Sequence, residues 1–173
     1  MIFQRSKNLI FIILLFFLTS LQLLQKVNAP YFQFDSVEHY SLKIDESVFI
    51  NDSKNKDLID LYEYLVGERI NELKDTNQLS ELIRLGYQKS ILPSSKNADL
   101  NKLFSEKGKV IPIVMDCEPM YRDILVLKKK NKTIGIAKIC FECGQSEFIG
   151  TSKKTDGFGK NGEFQKLKTL LSK

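Results

Sequence analysis

The segment DILVLKKKNKTIGIAKICFEC, Asp123 to Cys143, decides the fold. Two apolar runs flank the polar pair Asn131-Lys132, the pattern of two strands joined by a tight connection. With that pair as the turn, Lys130 faces Thr133, Leu127 faces Ile136, Ile124 faces Ile139 and Asp123 faces Cys140. SEFIG, Ser146 to Gly150, turns back at Gly144-Gln145 as a further strand. VIPIVM, Val110 to Met115, reads as a short apolar strand whose Pro112 points to a sheet edge. The C-terminal half is therefore an antiparallel meander.

Upstream, Tyr40, Leu42 and Ile44 alternate with polar residues in EHYSLKID, the period of a half-buried strand. SVFI, Ser47 to Ile50, reads as a second short strand before the polar cluster NDSKN. NKDLIDLYEYLVGERINELKD then places Leu58, Tyr62, Leu65 and Leu73 on one stripe, which predicts a helix across Gly67. Asp57 and Asp60 sit in its first turn, where the helix dipole favours acids. Leu79, Leu82, Ile83 and Tyr87 predict a second helix, stopped at SILPSS by Pro93. A third runs from about Ala98 to Glu106, with Asn97 as N-cap and Gly108 as C-terminal stop. A final helix runs from Glu163 to Leu171, with Phe164, Leu167 and Leu171 as its buried stripe. Helices and strands are segregated, so the expected class is α+β: an N-terminal strand and three helices on one face of the meander, then a last helix.

The first residues address the compartment. MIFQRSKN carries Arg5 and Lys7 with no acid, Leu9 to Leu24 is almost wholly apolar, and Val27 and Ala29 occupy the −3 and −1 positions of a cleavage site. This is the order of a secretory signal over residues 1–29. Pro30 at +1 and the length of the apolar run keep an uncleaved anchor over residues 9–24 as the alternative. Residues 30–173 then form a single exported domain, in the periplasm, outside the cell or held at the membrane. The pI of about 9.0 does not mark a nucleic-acid binder. Beyond residue 29, 23 basic residues stand against 21 acidic ones, so the basic character belongs largely to the leader. Residues 30–106 are net negative and residues 107–173 net positive, which reads as two solvated, mutually attracting faces. Lys128, Lys129, Lys130 and Lys132 crowd one hairpin tip. They solubilise the turn and are the candidate contact with an anionic surface.

Three cysteines carry the chemistry: Cys117, Cys140 and Cys143. Outside the cytoplasm a disulfide is the default, from Cys117 to one of the pair or within the pair. Cys117 lies opposite neither partner in the register above, but Pro119 kinks the chain and can bring it near. Positions three apart on a flat strand face opposite ways, so Cys-x-x-Cys must curl at Phe141-Glu142, and Gly144 permits it. The same knuckle is half of a zinc ribbon. In a zinc site Cys117 would be the third ligand, and the fourth would come from His39, Asp116 or Glu118. A thiol-redox role is the weaker variant, because the pair does not open a helix. Unremarkable reduced thiols remain the fourth reading.

Other motifs carry less. GFGKNG, Gly157 to Gly162, matches G-x-G-x-x-G but follows no strand of a βαβ unit, and reads as a loop entering a helix. Asp116, Glu118, Arg122 and Asp123 read as a charged turn with an Arg–Asp contact, and His39 as a satisfied histidine. No catalytic constellation or nucleotide cofactor emerges.

The pattern C-x4-R-D-I-L-V-L…K-x-C-F-x-C, here Cys117, Arg122 to Leu127, Lys138 and Cys140 to Cys143, resembles small exported Bacteroidetes proteins with a cysteine-bearing hairpin ending in Cys-Phe-x-Cys. The resemblance covers about the last third of the chain. It implies an extracytoplasmic α+β domain whose three cysteines belong together, and implies no catalytic residue. The expected function is an exported structural or interaction domain stapled by a disulfide; the alternative is a zinc-type or thiol-redox protein using the cluster.

Overall fold

The structure, a computed structural model, describes residues 29–51, 54–107 and 116–172. The segment expected as a secretory signal, apart from Ala29, the edge strand expected at Val110–Met115 and the stop expected at Gly108 lie outside the described residues.

In chain order the elements are β1 (Ser36–Ser41), α1 (Ser47–Asn51), α2 (Lys56–Leu65), a 3₁₀ turn (Leu73–Gln78), α3 (Leu79–Arg84), β2 (Gln88–Ile91), a second 3₁₀ turn (Ser94–Lys96), α4 (Asn97–Leu103), β3 (Asp123–Lys129), β4 (Lys132–Cys140), β5 (Gln145–Ile149) and α5 (Glu163–Leu171). The strands form one antiparallel sheet in the order β2-β1-β3-β4-β5. The α+β class holds.

The layering differs from the one-faced packing expected. Both faces of the sheet are covered. On one, Val37, Leu125, Leu127, Ala137 and Ile139 pack with Phe104, Phe158 and Leu167, beneath α4 and α5. On the other, Tyr40, Ile124, Val126 and Ile136 pack with Leu61, Leu65 and Leu82 of α2 and α3. This is why ILVL in β3 is a continuous apolar run: a strand buried on both faces has no polar face to alternate with. Aromatic rings knit the first layer edge to face, with Phe158 5.1 Å from both Phe148 and Phe164.

The β3–β4 register is two residues away from the expected one at the hairpin tip and one residue away beyond a bulge. The turn is Lys130-Asn131, both at positive φ (48° and 62°), the mirror-image turn that matches strand twist. The Lys130 N–H donates to Asp35 Oδ2 at 2.7 Å and helps hold it there. A bulge at Leu127/Lys128 then leaves Ile134 unpaired, so Leu127 faces Gly135 and Asp123 faces Ile139 rather than Cys140. Gly135 accounts for that choice. The Phe32 ring lies where a Cβ at residue 135 would be, so only a glycine fits beneath it.

Four further expectations are corrected. SVFI belongs to α1: Asp45 Oδ1 accepts the Ser47 N–H at 2.9 Å and starts a helical turn, which overrides the strand preference of Val and Ile. The long helix ends at Leu65, because Gly67 terminates it rather than sitting inside it. At φ +85° its N–H reaches Tyr64 O while the Glu68 N–H reaches Glu63 O, a Schellman closure. Gly86 ends α3 in the same way, with Gly86 N–H to Ile83 O and Tyr87 N–H to Leu82 O. Tyr87 therefore leaves the helix, and Ser90 and Ile91, read as part of a breaker, lie in β2. The third helix is shorter than expected and has no side-chain cap from Asn97, whose residue opens the helix instead. The last helix has the expected bounds.

Gly135→Ala should cost about 1–3 kcal/mol by overpacking against Phe32. Urea unfolding of Gly135→Ala and of Gly135→Ala/Phe32→Leu checks this, with the second change restoring part of the loss.

Candidate functional site: the cysteine cluster

The meander brings the three cysteines to one end of the sheet. β4 ends at Cys140, paired with Gln145, and the four residues Phe141–Gly144 turn the chain into β5. Gly144 takes positive φ (59°), the conformation that curls Cys143 out of the strand plane. The segment entering β3 runs past this turn. Cys117 and Cys143 are joined by a disulfide with Cα atoms 5.9 Å apart, and Gln145 Nε2 donates to Cys117 O at 2.7 Å beside it. Of the pairings left open by the sequence, Cys117–Cys143 is the one formed.

Cys140 is a free, buried thiol. Its sulfur accepts the backbone N–H groups of Met120 and Cys143, each at 3.4 Å, and its thiol faces Glu142 Oε2 at 3.8 Å. Tyr121 covers both Cys140 and Cys143. Burial first, then the charges of Glu147 and the Cys140 sulfur, push the Tyr121 phenol up to about 12.

Beneath Tyr121 lies Lys138, which the sequence marks only as part of the K-x-C-F-x-C stretch. Lys138 sits mid-strand in β4 and is 1% exposed. Its ammonium donates to Gly67 O and Asn71 Oδ1, each at 3.1 Å, pairs with Glu147 Oε2 at 3.0 Å, and lies over the Tyr121 ring at 5.9 Å. Burial lowers its pKa, and the Glu147 carboxylate works against that shift. It therefore pins the loop after α2 to the sheet, in the stretch where Ile70 holds a positive φ of 57°, a strained backbone for a β-branched residue. A lysine inside IAKIC was the available signal; the acceptors come from 67 and 71 residues away in sequence.

The candidate fourth ligands do not join the thiols. His39 Nε2 bonds Asp123 Oδ1 at 2.7 Å, on the face of the sheet opposite Cys140. The Glu118 carboxylate accepts the Tyr62 hydroxyl at 3.3 Å, and Asp116 is exposed. Among the described residues no group of three or more His, Cys, Asp or Glu is arranged to hold a metal ion. The Arg–Asp contact expected in this turn is replaced: Arg122 pairs with Glu46 and, at 3.2 Å, with Glu142, because Asp123 is taken by His39.

In GFGKNG the Phe164 ring lies where a Cβ at Gly159 would be, and Gly162, at φ +77°, leads into α5. A groove of about 490 Å³ runs between α4 and α5, bordered by Lys102, Leu103, Lys107, Glu163, Lys166 and Leu170. Among the described residues no helix is long and apolar enough to cross a membrane. Comparison with protein-family models, curated proteins and solved structures gives no match for this chain.

Lys138→Met should destabilise by about 1–3 kcal/mol, because Gly67 O and Asn71 Oδ1 lose a buried donor; chemical denaturation measures it. Tyr31 and Tyr121, both raised to about 12, should ionise later than exposed tyrosines in an absorbance titration. A free chain ionises tyrosine near pH ~10, so this contribution to stability is complete below that pH and is lost as the pH rises towards 12.

Proposed function

We propose that the chain is an exported structural or interaction domain, stapled by the Cys117–Cys143 disulfide. The observation that carries this reading is the placement of the bond. It ties the segment entering β3 to the turn between β4 and β5, so it closes one end of the sheet. Disulfides persist in oxidising compartments, which supports export, and the sequence order of residues 1–29 supports a secretory signal or an anchor over residues 9–24. The resemblance to exported Bacteroidetes proteins through Cys117, Cys140 and Cys143 supports the same reading. The tip of β3–β4 presents Lys129, Lys130 and Lys132 to solvent, while Lys128 is paired with Glu38 at 2.6 Å. Three exposed ammonium groups on one turn suit a weak contact with an anionic surface.

The third cysteine leaves a thiol-redox role as the alternative, since the free Cys140 lies beside Cys143; a zinc role would need the disulfide reduced and a fourth ligand brought to the thiols. Thiol titration with and without reductant, beside metal analysis of protein from its native compartment, separates the two. The staple predicts one reactive thiol after unfolding without reductant and three with it. Stoichiometric zinc, lost on substitution of any one cysteine by serine, would replace the proposal. Removing the staple by Cys117→Ser should cost about 2–4 kcal/mol, given the 26-residue separation it closes. N-terminal sequencing of the exported protein tests the leader: a start at residue 30 supports cleavage, and an intact N-terminus supports the anchor.

A further inference from the structure

The described molecule holds one disulfide and one free cysteine, and the free one is in the wrong place for a bystander. Cys140 is fully buried, yet it packs against Cys143, a partner in the disulfide, and takes that residue's own N–H on its sulfur at 3.4 Å. The Met120 N–H reaches it from the Cys117 side of the bond at 3.4 Å. The Glu142 carboxylate stands 3.8 Å from the sulfur, and is exposed enough to exchange protons with water. The two ends of the disulfide are unlike: Cys143 is 4% exposed, whereas Cys117 lies in an exposed segment.

We propose that Cys140 is an internal exchange thiol that moves the disulfide from Cys117–Cys143 to Cys140–Cys143 and releases Cys117 as an accessible thiol. This rests on the staple described above. The Cys140 thiol passes its proton by way of Glu142 to water, and its sulfur attacks Cys143 Sγ. The new Cys140–Cys143 bond forms as the Cys117–Cys143 bond breaks. The electron pair leaves on Cys117, which takes a proton from water. One disulfide and one thiol stand on each side, so no oxidant or reductant is consumed.

Attack at Cys143 rather than Cys117 follows from two observations. Cys140 Sγ lies 3.4 Å from the backbone nitrogen of Cys143 and shares a buried cluster with that residue, which Cys117 does not join, and thiol–disulfide exchange requires the attacking sulfur to reach the bond. Cys117 is also the better leaving group by environment, because its departing charge is solvated by water. The product pair lies within the turn Phe141–Gly144 and its preceding residue, so the new bond is local. Exchange would release the segment at Cys117 from the β4–β5 turn and present a thiol able to form a mixed disulfide by attack on a partner's disulfide, whose second sulfur leaves as a thiol. The cluster would then be a thiol switch that needs no outside reagent to reset.

The test uses the full-length protein in detergent, oxidised and free of reductant, held with excess iodoacetamide in mildly alkaline buffer and mapped by mass spectrometry. Trypsin places Cys117 on residues 110–122 and both other cysteines on residues 139–153. Label should accumulate on Cys117, while residues 139–153 appear with an internal disulfide. Cys140→Ser should lose the Cys117 label altogether. Cys117→Ser, oxidised in the same way, should contain a Cys140–Cys143 bond and no free thiol. Label confined to Cys140, equal Cys117 labelling in Cys140→Ser, or two free thiols in Cys117→Ser would each overturn the exchange while leaving the staple in place. Absence of any Cys117–Cys143 linkage in a sample quenched with acid at the outset would overturn the staple and the exchange together.

Discussion

Burial of the β3–β4 hairpin on both faces is the constraint to which the rest of the molecule answers. With α2 and α3 on one side and α4 and α5 on the other, every central side chain of these strands meets another layer. Apolar residues satisfy that requirement directly. Any polar residue there must bring its own partners, because a buried charge without them is costly. Lys138 meets the condition with two oxygen acceptors, a carboxylate and an aromatic face, and so turns a liability into the tie between the sheet and the loop after α2. His39 does the same with Asp123.

The cysteine cluster lies where this double burial ends. Past Cys140 the sheet stops, the chain curls through Phe141–Gly144, and the segment from Asp116 to Arg122 crosses the opening. Hydrophobic packing is thin there: the local cluster consists of Tyr121, Cys140 and Cys143, with Met120 beside them. A covalent link is most useful where few contacts hold two segments together. Around it Arg122 joins Glu46 to Glu142, so the same corner is closed by a bond, a buried ring and an ion-paired guanidinium.

Much of the architecture could be read from residue pattern, and the misreadings have physical causes. α5 emerged with its observed bounds because a glycine precedes it and one apolar stripe defines it. The hairpin was legible as a pair of strands, but its register was not, because the bulge answers to the Phe32 ring under Gly135. Gly67 and Gly86 lay within or beside good helical periodicity, and a glycine there is compatible with either continuation or termination. At Gly67 the Tyr121 ring occupies the Cβ position, which fits a terminator. Of the site, the convergence of Cys117 on the pair was legible from the hairpin and Pro119. The choice of Cys143 over Cys140 was not, since it depends on how the turn after Cys140 aims each sulfur.

By itself the sequence determined the α+β class, the antiparallel meander, the final helix and the neighbourhood of the three sulfurs. These depend on local periodicity, turn chemistry and short separations along the chain. Only the tertiary structure decided that the sheet is covered on both faces, that Asp123 belongs to His39 rather than Arg122, that Lys138 is buried and satisfied, and which cysteine stays free. Each of those outcomes rests on groups far apart in the chain competing for one partner or one volume, and such competition is resolved only when the layers close on each other.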